Sequence, residues 1–204
     1  MKFLIIRFSS IGDIVLTTPV IRCLKQQVED AEVHYLTKDS FKAIIESNPY
    51  VDKLHLLQDD FDALTDLLRQ EKFDYIIDLH HNLRTLKVKK ALGVAAYSFN
   101  KLNVKKWLLT ALKINLLPRV HIVDRYLETV KSFGVENDGK GLDYFIPAKD
   151  LVPDRDLPAA QSLGYIGVVI GAAHNTKKLP IGKLKELCDK INHPIILLGG
   201  PEDR

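Results

Sequence analysis

The sequence predicts an α/β protein in which a parallel sheet carries helices on both faces, followed by the beginning of a second unit of the same kind. Short runs rich in β-branched and aromatic residues alternate with amphipathic stretches, which is the pattern of strands that alternate with helices. This alternation favours a parallel sheet covered on both sides. With 204 residues, 46% of them hydrophobic and 27% charged, the chain is long enough for one to two such units.

Four strands are predicted in the first unit, over residues 2–8, 32–37, 53–57 and 75–79. A helix is predicted over 61–71, because apolar residues recur there at helical spacing. The segment from Pro147 to Pro158 contains three prolines and follows neither period, so it is predicted to be a linker.

Beyond the linker, a strand, a helix and another strand are predicted over residues 165–171, 181–191 and 195–200. We therefore divide the chain into a first domain, residues 1–150, and the linker with the start of a second domain, residues 151–204. Two strands and one helix cannot cover both faces of a sheet. We therefore expect the sequence to contain only the first part of this second domain.

The composition limits the possible functions. A net charge of +3 is too small to indicate nucleic-acid binding. No stretch reaches the roughly 18 apolar residues of a membrane-spanning helix, and the N-terminus makes a poor signal peptide, so a cytoplasmic location is expected. Cys23 and Cys188 are far apart in predicted helices, which favours free buried thiols over a disulfide or a metal pair.

The turn after the first strand is the first candidate site, because ligands of open α/β sheets bind at the carboxyl ends of the strands. Gly12 permits close approach of a ligand to the backbone, and the absence of a G-x-G-x-x-G pattern disfavours a dehydrogenase. Asp13 stands where a helix begins, so it is either an N-cap carboxylate or a base for a substrate hydroxyl. Pro19 either interrupts this helix or starts it, with Thr18 as the cap.

Five ordered segments together resemble glycosyltransferase family 9, the ADP-heptose:lipopolysaccharide heptosyltransferases. They are FSSIGDIVLTTPVIRCLK at 8–25, DLHHNLRT at 78–85, HIVDRYLETVKSFGV at 121–135, GAAHNTKKLP at 171–180 and LLGGPED at 197–203. The resemblance spans essentially the whole chain. It implies a GT-B type fold, with an N-terminal Rossmann-like acceptor-binding domain and a C-terminal domain that binds the nucleotide sugar.

The resemblance also implies an inverting transferase that is metal-independent and has no cofactor, the nucleotide sugar being a substrate. Asp13 occupies the position of the family's catalytic base. We predict acceptor contacts for Ser10 and Gly12 of the same turn and for Asn82 and Arg84 after the fourth strand, since a guanidinium can grip a carboxylate or phosphate with two hydrogen bonds. The adjacent His80 and His81 lack the spacing of metal ligands and are predicted to be loop residues, so no metal site is expected.

The loop after the strand at 165–171 is predicted to hold a diphosphate. Small residues, a hydroxyl and two cations ahead of a helix suit such a group, although a surface loop with solvated lysines is the alternative interpretation. The resemblance implies phosphate contacts at Thr176 and Lys177, with Lys178 in place of a residue that is often arginine. Ile170 and Leu179 depart from the family pattern, which usually has proline and tryptophan there.

A basic stretch lies between Asp78 and Asp124, where there are nine cations and no acidic residue. They are Arg84, Lys87, Lys89, Lys90, Lys101, Lys105, Lys106, Lys113 and Arg119. A helix is predicted over 103–114, with an apolar stripe that includes Trp107. It either packs on the domain or lies on an anionic bilayer surface. The basic stretch therefore suits either an anionic lipopolysaccharide acceptor or peripheral contact with the inner membrane.

Two other functions stay open at this point. One is a truncated, non-catalytic half that binds anionic glycolipid, and the other is a different nucleotide-sugar enzyme, such as an epimerase. The predicted partners are a nucleotide-sugar donor and an anionic lipopolysaccharide acceptor, without nucleic acid, since no recognised nucleic-acid-binding motif accompanies the basic stretch.

Overall fold

A computed structural model of the protein describes residues 1–156, 164–172 and 174–203. The chain divides into two compact units, Met1–Pro147 and Ala148–Arg204. Residues 157 and 158 of the predicted linker lie outside the described residues, as do residues 159–163 that follow it. Within the described ranges, no helix combines the length and the apolar character that crossing a membrane requires.

The first unit is built on a parallel sheet whose strand order is β3-β2-β1-β4-β5, with β1 at its centre. The strands are β1 (Lys2–Ile6), β2 (Glu32–Lys38), β3 (Lys53–Leu57), β4 (Tyr75–Asp78) and β5 (Ala95–Ser98). The four predicted strands are confirmed, with slightly different ends. Strand β5 was not predicted, because its sequence AAYS is short and holds only one strongly strand-favouring residue.

Both faces of this sheet are covered, as the sequence predicts. The helices of the first unit are α1 (Ile11–Val15), α2 (Thr18–Gln27), α3 (Lys42–Ile45), α4 (Phe61–Gln70), α5 (Leu83–Leu92), α6 (Asn103–Leu112) and α7 (Ile122–Leu127). Phe3 and Ile5 of β1 pack in a core with residues of α2 and α7. Leu4 and Ile6 point to the other face, where they pack with residues of α4 and α5. Full burial of one such side chain contributes about 1.5–3 kcal/mol.

Helix α2 begins one residue earlier than the sequence suggested. Its N-cap is Thr17 rather than Thr18, and Pro19 lies in the first turn. There its missing N–H removes no helical hydrogen bond, so the proline is tolerated. Both cysteines are free, as predicted, and Cys23 is buried on α2, but Cys188 is only half-buried rather than buried as predicted.

The second unit contains a two-stranded parallel sheet, β6 (Ile166–Val169) and β7 (Ile195–Leu198), joined through α8 (Ile181–Lys190). These elements confirm the predicted order of strand, helix and strand. Several of their large apolar side chains are exposed, among them Val169, Ile181 and Leu197. This exposure agrees with the expectation that two strands and one helix cannot bury both faces of a sheet.

Candidate functional site

The candidate site of the first unit lies at the carboxyl edge of its sheet. Because the strands are parallel, the loops that follow β1, β2 and β4 all emerge at this edge. An open pocket there is lined by Phe8 and Ser9 from the first loop, Lys38 from the end of β2, and His80, Asn82, Leu83 and Arg84 from the loop and helix after β4. The fold thus brings together residues from the first two motifs of the sequence.

Asp13 is not the N-cap of a helix, so the interpretation of its carboxylate as a helix cap is wrong. Ser10 occupies the cap position of α1, and Asp13 is the third residue of this helix. Its carboxylate accepts hydrogen bonds from the backbone N–H of Ser10 at 3.4 Å and from the Ser10 hydroxyl at 3.1 Å. This is the carboxylate half of a capping box, and it holds the side chain on the first turn of the helix. The side chain of Asp13 is still 40% exposed, so a substrate can reach it.

Arg7 is the ion-pair partner of Asp13 in this turn, and it is not among the residues that the sequence predicts for the site. Its Nη2 lies 2.5 Å from the Asp13 carboxylate. The guanidinium is nearly buried and also donates to the carbonyl oxygens of Ser9 at 2.6 Å and Leu79 at 2.7 Å, and to the Tyr126 hydroxyl at 3.1 Å. The sequence signal that could have identified Arg7 is an arginine at the end of an apolar strand. Buried cations in proteins are almost always paired, so such an arginine indicates a nearby carboxylate.

The charge of Arg7 helps to keep the Asp13 carboxyl ionised despite its partial burial. Partial burial raises the pKa of the Asp13 carboxyl, but the positive charge of Arg7 and the hydrogen bonds from Ser10 and Arg7 outweigh it, so this pKa lies below its usual value. Asp13 is therefore ionised at neutral pH. An ionised carboxylate, fixed on a helix and open on one side, is a group that can accept a proton.

The other predicted residues of the first turn have different roles. Ser10 donates its hydroxyl to Asp13, and Ser9 lines the pocket in its place. Gly12 is exposed, and a Cβ atom there would meet nothing within 4 Å. Packing within the chain therefore does not require a glycine at this position, and the predicted acceptor contacts of Ser10 and Gly12 stay predictions.

His80 and His81 are loop residues, as predicted, and His80 lines the pocket with its ring against Phe8 at 5.0 Å. Burial, followed by the charges of Arg7 and Lys101, lowers the pKa of His80 to about 4. This histidine is therefore neutral at pH 7. It contributes an aromatic surface to the pocket rather than a charge.

Asn82 and Arg84 stand at the start of α5. Asn82 is the N-cap, and its side-chain oxygen accepts the N–H of Thr85 at 2.9 Å, so its first role is to begin the helix. Arg84 is exposed and forms no ion pair with the residues that the structure describes. It lines two neighbouring pockets, both of which also include Lys38. The pair Lys38 and Arg84 gives this edge a positive charge that an anionic group can reach.

A buried carboxylate orders the loop after β4. Asp78 is fully buried, accepts the backbone N–H groups of His80 at 3.1 Å and His81 at 2.7 Å, and pairs with the Lys89 ammonium at 2.8 Å. Lys89 is therefore neutralised, and it does not add to the charge of the basic stretch as the sequence suggested. Asp39 and Asp59 line one pocket together with Arg84 and Lys87, so acids from other loops also offset that stretch.

The helix of the basic stretch is α6, which ends two residues earlier than predicted. The side chains of Asn103, Val104 and Lys106 lie outside the described part of the chain. Trp107 is 59% exposed, and Leu112 and Ile114 beside it are exposed as well. An apolar surface next to lysines is thus open on this unit.

The predicted phosphate loop lies in the second unit, between β6 and α8. Asn175–Lys177 forms one turn of 3₁₀ helix in which Thr176 and Lys177 are exposed. Lys178 instead pairs with Asp203 at 2.6 Å, and this hydrogen bond, together with one from the Gly200 N–H, lowers the pKa of the Asp203 carboxyl. Among the described residues of this loop, Thr176 and Lys177 are exposed and their side chains form no hydrogen bond or ion pair, whereas Lys178 is paired with Asp203.

Comparison with curated proteins finds lipopolysaccharide heptosyltransferase 1 of Campylobacter coli, which is 25% identical over 210 residues. The match covers 94% of this chain, and the chain spans 60% of the length of that relative. No protein-family model matches the chain.

Comparison with solved structures finds a family 9 glycosyltransferase from Veillonella parvula, with a TM-score of 0.73 and 21% identity over 99% of this chain and 63% of that one. The E. coli heptosyltransferase WaaC with ADP is similar with a TM-score of 0.70 and 19% identity, over 100% of this chain and 68% of that one. These likenesses confirm the GT-B type fold. With the curated relative, they also confirm the resemblance to glycosyltransferase family 9 that the five segments indicate.

Proposed function

We propose, from the similarity to the lipopolysaccharide heptosyltransferases and from the Arg7–Asp13 site, that this chain is part of an inverting glycosyltransferase. It transfers a heptose or a related sugar from a nucleotide-sugar donor to an inner-core lipopolysaccharide acceptor. The observation that supports this function most directly is the Asp13 carboxylate, which is ionised, held by Arg7 and Ser10, and exposed at the carboxyl edge of the sheet.

In the proposed reaction, an acceptor hydroxyl attacks the anomeric carbon of the donor sugar. The new bond joins the acceptor oxygen to that carbon, and the bond from the carbon to the diphosphate oxygen breaks. Asp13 takes the hydroxyl proton, and the nucleoside diphosphate leaves with the electron pair. A single displacement inverts the anomeric centre and needs one base without a covalent intermediate.

The leaving diphosphate is bound by the second unit in this proposal. The Thr176 hydroxyl and the Lys177 ammonium are exposed on the loop between β6 and α8, where they can contact phosphate oxygens. A charge-assisted bond from Lys177 offsets the negative charge that develops as the sugar departs. The chemistry needs no metal ion, since lysine, a hydroxyl group and backbone N–H groups supply the stabilisation.

The acceptor lies over the first unit. Lys38 and Arg84 line neighbouring pockets at the edge that also holds Asp13, and a phosphate or carboxylate of the inner core fits these cations. Trp107 and the lysines around it support peripheral contact with the cytoplasmic face of the inner membrane, where such an acceptor is anchored.

The test is transfer from ADP-heptose to a truncated lipopolysaccharide acceptor by the full protein. Asp13→Asn removes the base but keeps the size of the side chain, so we expect the rate to fall by roughly 10² or more. The melting temperature should fall modestly at most, because the amide oxygen of the introduced asparagine can still accept hydrogen bonds from Ser10 and Arg7, and Arg7 keeps its three other acceptors. The matched control is Asp30→Asn, which changes an exposed carboxylate in the turn before β2, at the opposite edge, and should keep the parental rate.

The same assay separates the alternatives. An epimerase would alter the donor without consuming the acceptor, and a non-catalytic half would bind the glycolipid without turnover. An Asp13→Asn protein that folds normally and transfers sugar at the parental rate would refute the role of Asp13 as the base.

A further inference from the structure

A second polar cluster lies toward the amino ends of the strands, away from Asp13. It consists of His34 on β2, His55 on β3 and Glu71 directly after α4, and one possible ligand atom from each residue lies within 4.8 Å of the other two. The distance from His34 Nδ1 to His55 Nε2 is 2.9 Å, and from His34 Nδ1 to the Glu71 carboxylate it is 3.9 Å. The three residues are 21 and 16 positions apart in the chain, so only the fold joins them.

The pairing of β2 and β3 places the two histidines together. His34 is opposite Lys53 in the parallel register and Leu36 is opposite His55, so the histidines are diagonal neighbours on one face of the sheet. Both imidazoles are almost completely buried, and Phe73 packs edge-on against the two rings at 5.1 and 6.1 Å. The two imidazoles are therefore shielded from solvent, whereas Glu71 borders it.

The hydrogen bonds of His34 select the tautomer that a metal ion requires. Its Nε2 lies 2.8 Å from the Glu32 carboxylate, which as an ion can only accept. Nε2 therefore holds the hydrogen, and in the neutral ring Nδ1 presents its lone pair toward His55 and Glu71. In protein zinc sites, the ring nitrogen of a ligating histidine that does not bind the metal usually donates its hydrogen to a carboxylate, a backbone carbonyl or a water, which orients the ring.

We propose that His34 Nδ1, His55 Nε2 and the Glu71 carboxylate form a zinc-binding site, with water as the fourth ligand. Two histidines and one glutamate are an established ligand set for Zn²⁺. Zinc–ligand bonds of about 2.0–2.1 Å in a tetrahedron separate ligand atoms by about 3.3 Å. The observed 2.9 and 3.9 Å lie on either side of this value, so small rotations of the side chains suffice.

Two lysines hold Glu71 when no metal is bound. Lys53 forms a short ion pair with the Glu71 carboxylate, and Lys2 lies 3.6 Å from it while also pairing with Glu32 at 2.9 Å. Lys53 is about half exposed and can move into solvent, which frees Glu71 to turn toward the histidines. Binding also moves the hydrogen of His55 to its Nδ1. A zinc ion here would join β2, β3 and the end of α4, and so stabilise the first unit.

The test uses the full protein, stripped with EDTA and titrated with zinc chloride, with bound metal and melting temperature as readouts. We expect one zinc ion per chain at this site and a higher melting temperature. At a free zinc concentration of about 100 times Kd, the unfolding equilibrium constant falls about 100-fold. Glu71→Gln and His55→Gln should each weaken binding by at least about tenfold, because each removes a ligand.

Two further variants make the site identifiable. Lys53→Met removes the cation that competes for Glu71, so it should tighten zinc binding, which a site elsewhere would not do. The control His193→Gln changes a histidine of the second unit and should leave affinity unchanged. If His55→Gln fails to fold, Glu71→Gln and Lys53→Met decide the question. The proposal is overturned if the folded protein binds no stoichiometric zinc, or if neither of these two variants changes the affinity.

Discussion

At the end of β1, Arg7 and Asp13 form an ion pair whose partners differ in exposure. Arg7 is nearly buried and binds two carbonyl oxygens and a tyrosine hydroxyl, so its position is determined by the core. Asp13 faces the open edge of the sheet. Arg7 therefore holds the Asp13 carboxylate in place and keeps a positive charge beside it, and we regard Arg7 as a positioning residue.

Replacing Arg7 tests this role through the pH dependence of transfer. The pKa of Asp13 is depressed, so the base form prevails at neutral pH and is lost only as the pH falls through that low value. In Arg7→Met the lowering charge is gone, and the acid limb of the kcat/KM profile should move to higher pH. Arg7→Lys should restore part of the shift. An acid limb that is the same in all three proteins would contradict the assignment.

Lys177 is the residue on which donor binding depends in the proposed function. It forms no ion pair within the described residues, in contrast to Lys178, which is held by Asp203. Lys177→Ala should weaken donor affinity by roughly 1.5–3 kcal/mol, the value of a charge-assisted hydrogen bond. Calorimetric titration with the nucleotide sugar measures this loss. Lys185→Ala, an exposed lysine on α8, is the control, and equal affinities in the two variants would remove Lys177 from the donor site.

Among the elements, α2 is tied to the end of the first unit by a buried arginine. Arg22 binds both carboxylate oxygens of Asp138 at 2.7 Å, pairs with Asp143 and donates to the Gly141 carbonyl oxygen at 3.0 Å. The hydrogen bond from Arg22 is the main cause that lowers the pKa of the Asp138 carboxyl well below its usual value. The segment 138–143 has no regular secondary structure, so this network fixes it to the helix.

Arg22→Met should destabilise the first unit by about 3 kcal/mol at pH 7, since it leaves two partly buried carboxylates unpaired. Asp138 has a depressed pKa in the folded state. Its contribution is therefore present above the unfolded pKa of about 3.9 and is lost as the pH falls through the folded value. The difference between parent and variant should shrink below about pH 4. Urea unfolding at pH 7 and pH 3 measures both effects.

The exposed pair of α4 provides the matched control for Arg22. Arg69 and Asp66 lie 2.7 Å apart, and both side chains are more than half exposed. Arg69→Met should cost at most about 1 kcal/mol, because solvent screens such pairs. If the two arginine variants lost the same stability, the buried network would not be what holds the segment 138–143.

For the whole molecule, the distribution of charge matters more than the net charge of +3. The structure pairs Lys89 with Asp78 and places acids near Arg84 and Lys87, whereas Lys105 within α6 and Lys113 directly after it are exposed. There they border the exposed Trp107. Charge and apolar surface in one place suit an anionic bilayer surface better than a free anion.

We therefore expect the protein to bind vesicles that contain anionic lipid, and to release them as the salt concentration rises. Lys105→Glu with Lys113→Glu should weaken this binding, and so should Trp107→Ala. The control is Lys185→Glu on the second unit, which makes the same change of charge at one position and should weaken vesicle binding less. Binding that ignores salt, or that survives both the charge reversals and the tryptophan change, would exclude this surface. Vesicle sedimentation at two salt concentrations is sufficient.

The order of strands and helices could be predicted from the sequence, because it depends on spacing over a few residues. Runs such as those of β1 and β2 are apolar enough to be strands in almost any context, and their amino-acid pattern is local. Strand β5 was missed because pairing with β4, rather than its own residues, makes it a strand. Asp13 is predicted as a candidate because it lies just after a strand, within a segment that resembles a known family.

The sequence by itself determined the fold class, the strand order along the chain and the position of Asp13 in the first turn. Only the tertiary structure decided which charges are paired. Arg7, Lys89 and Lys178 each form an ion pair with a carboxylate that is not their neighbour in the chain, and the fold brings the two groups together. It also brought His34, His55 and Glu71 together. The reason is physical: a helical or strand period is a property of neighbouring residues, whereas an ion pair or a ligand set depends on how distant segments pack together and on the register between strands.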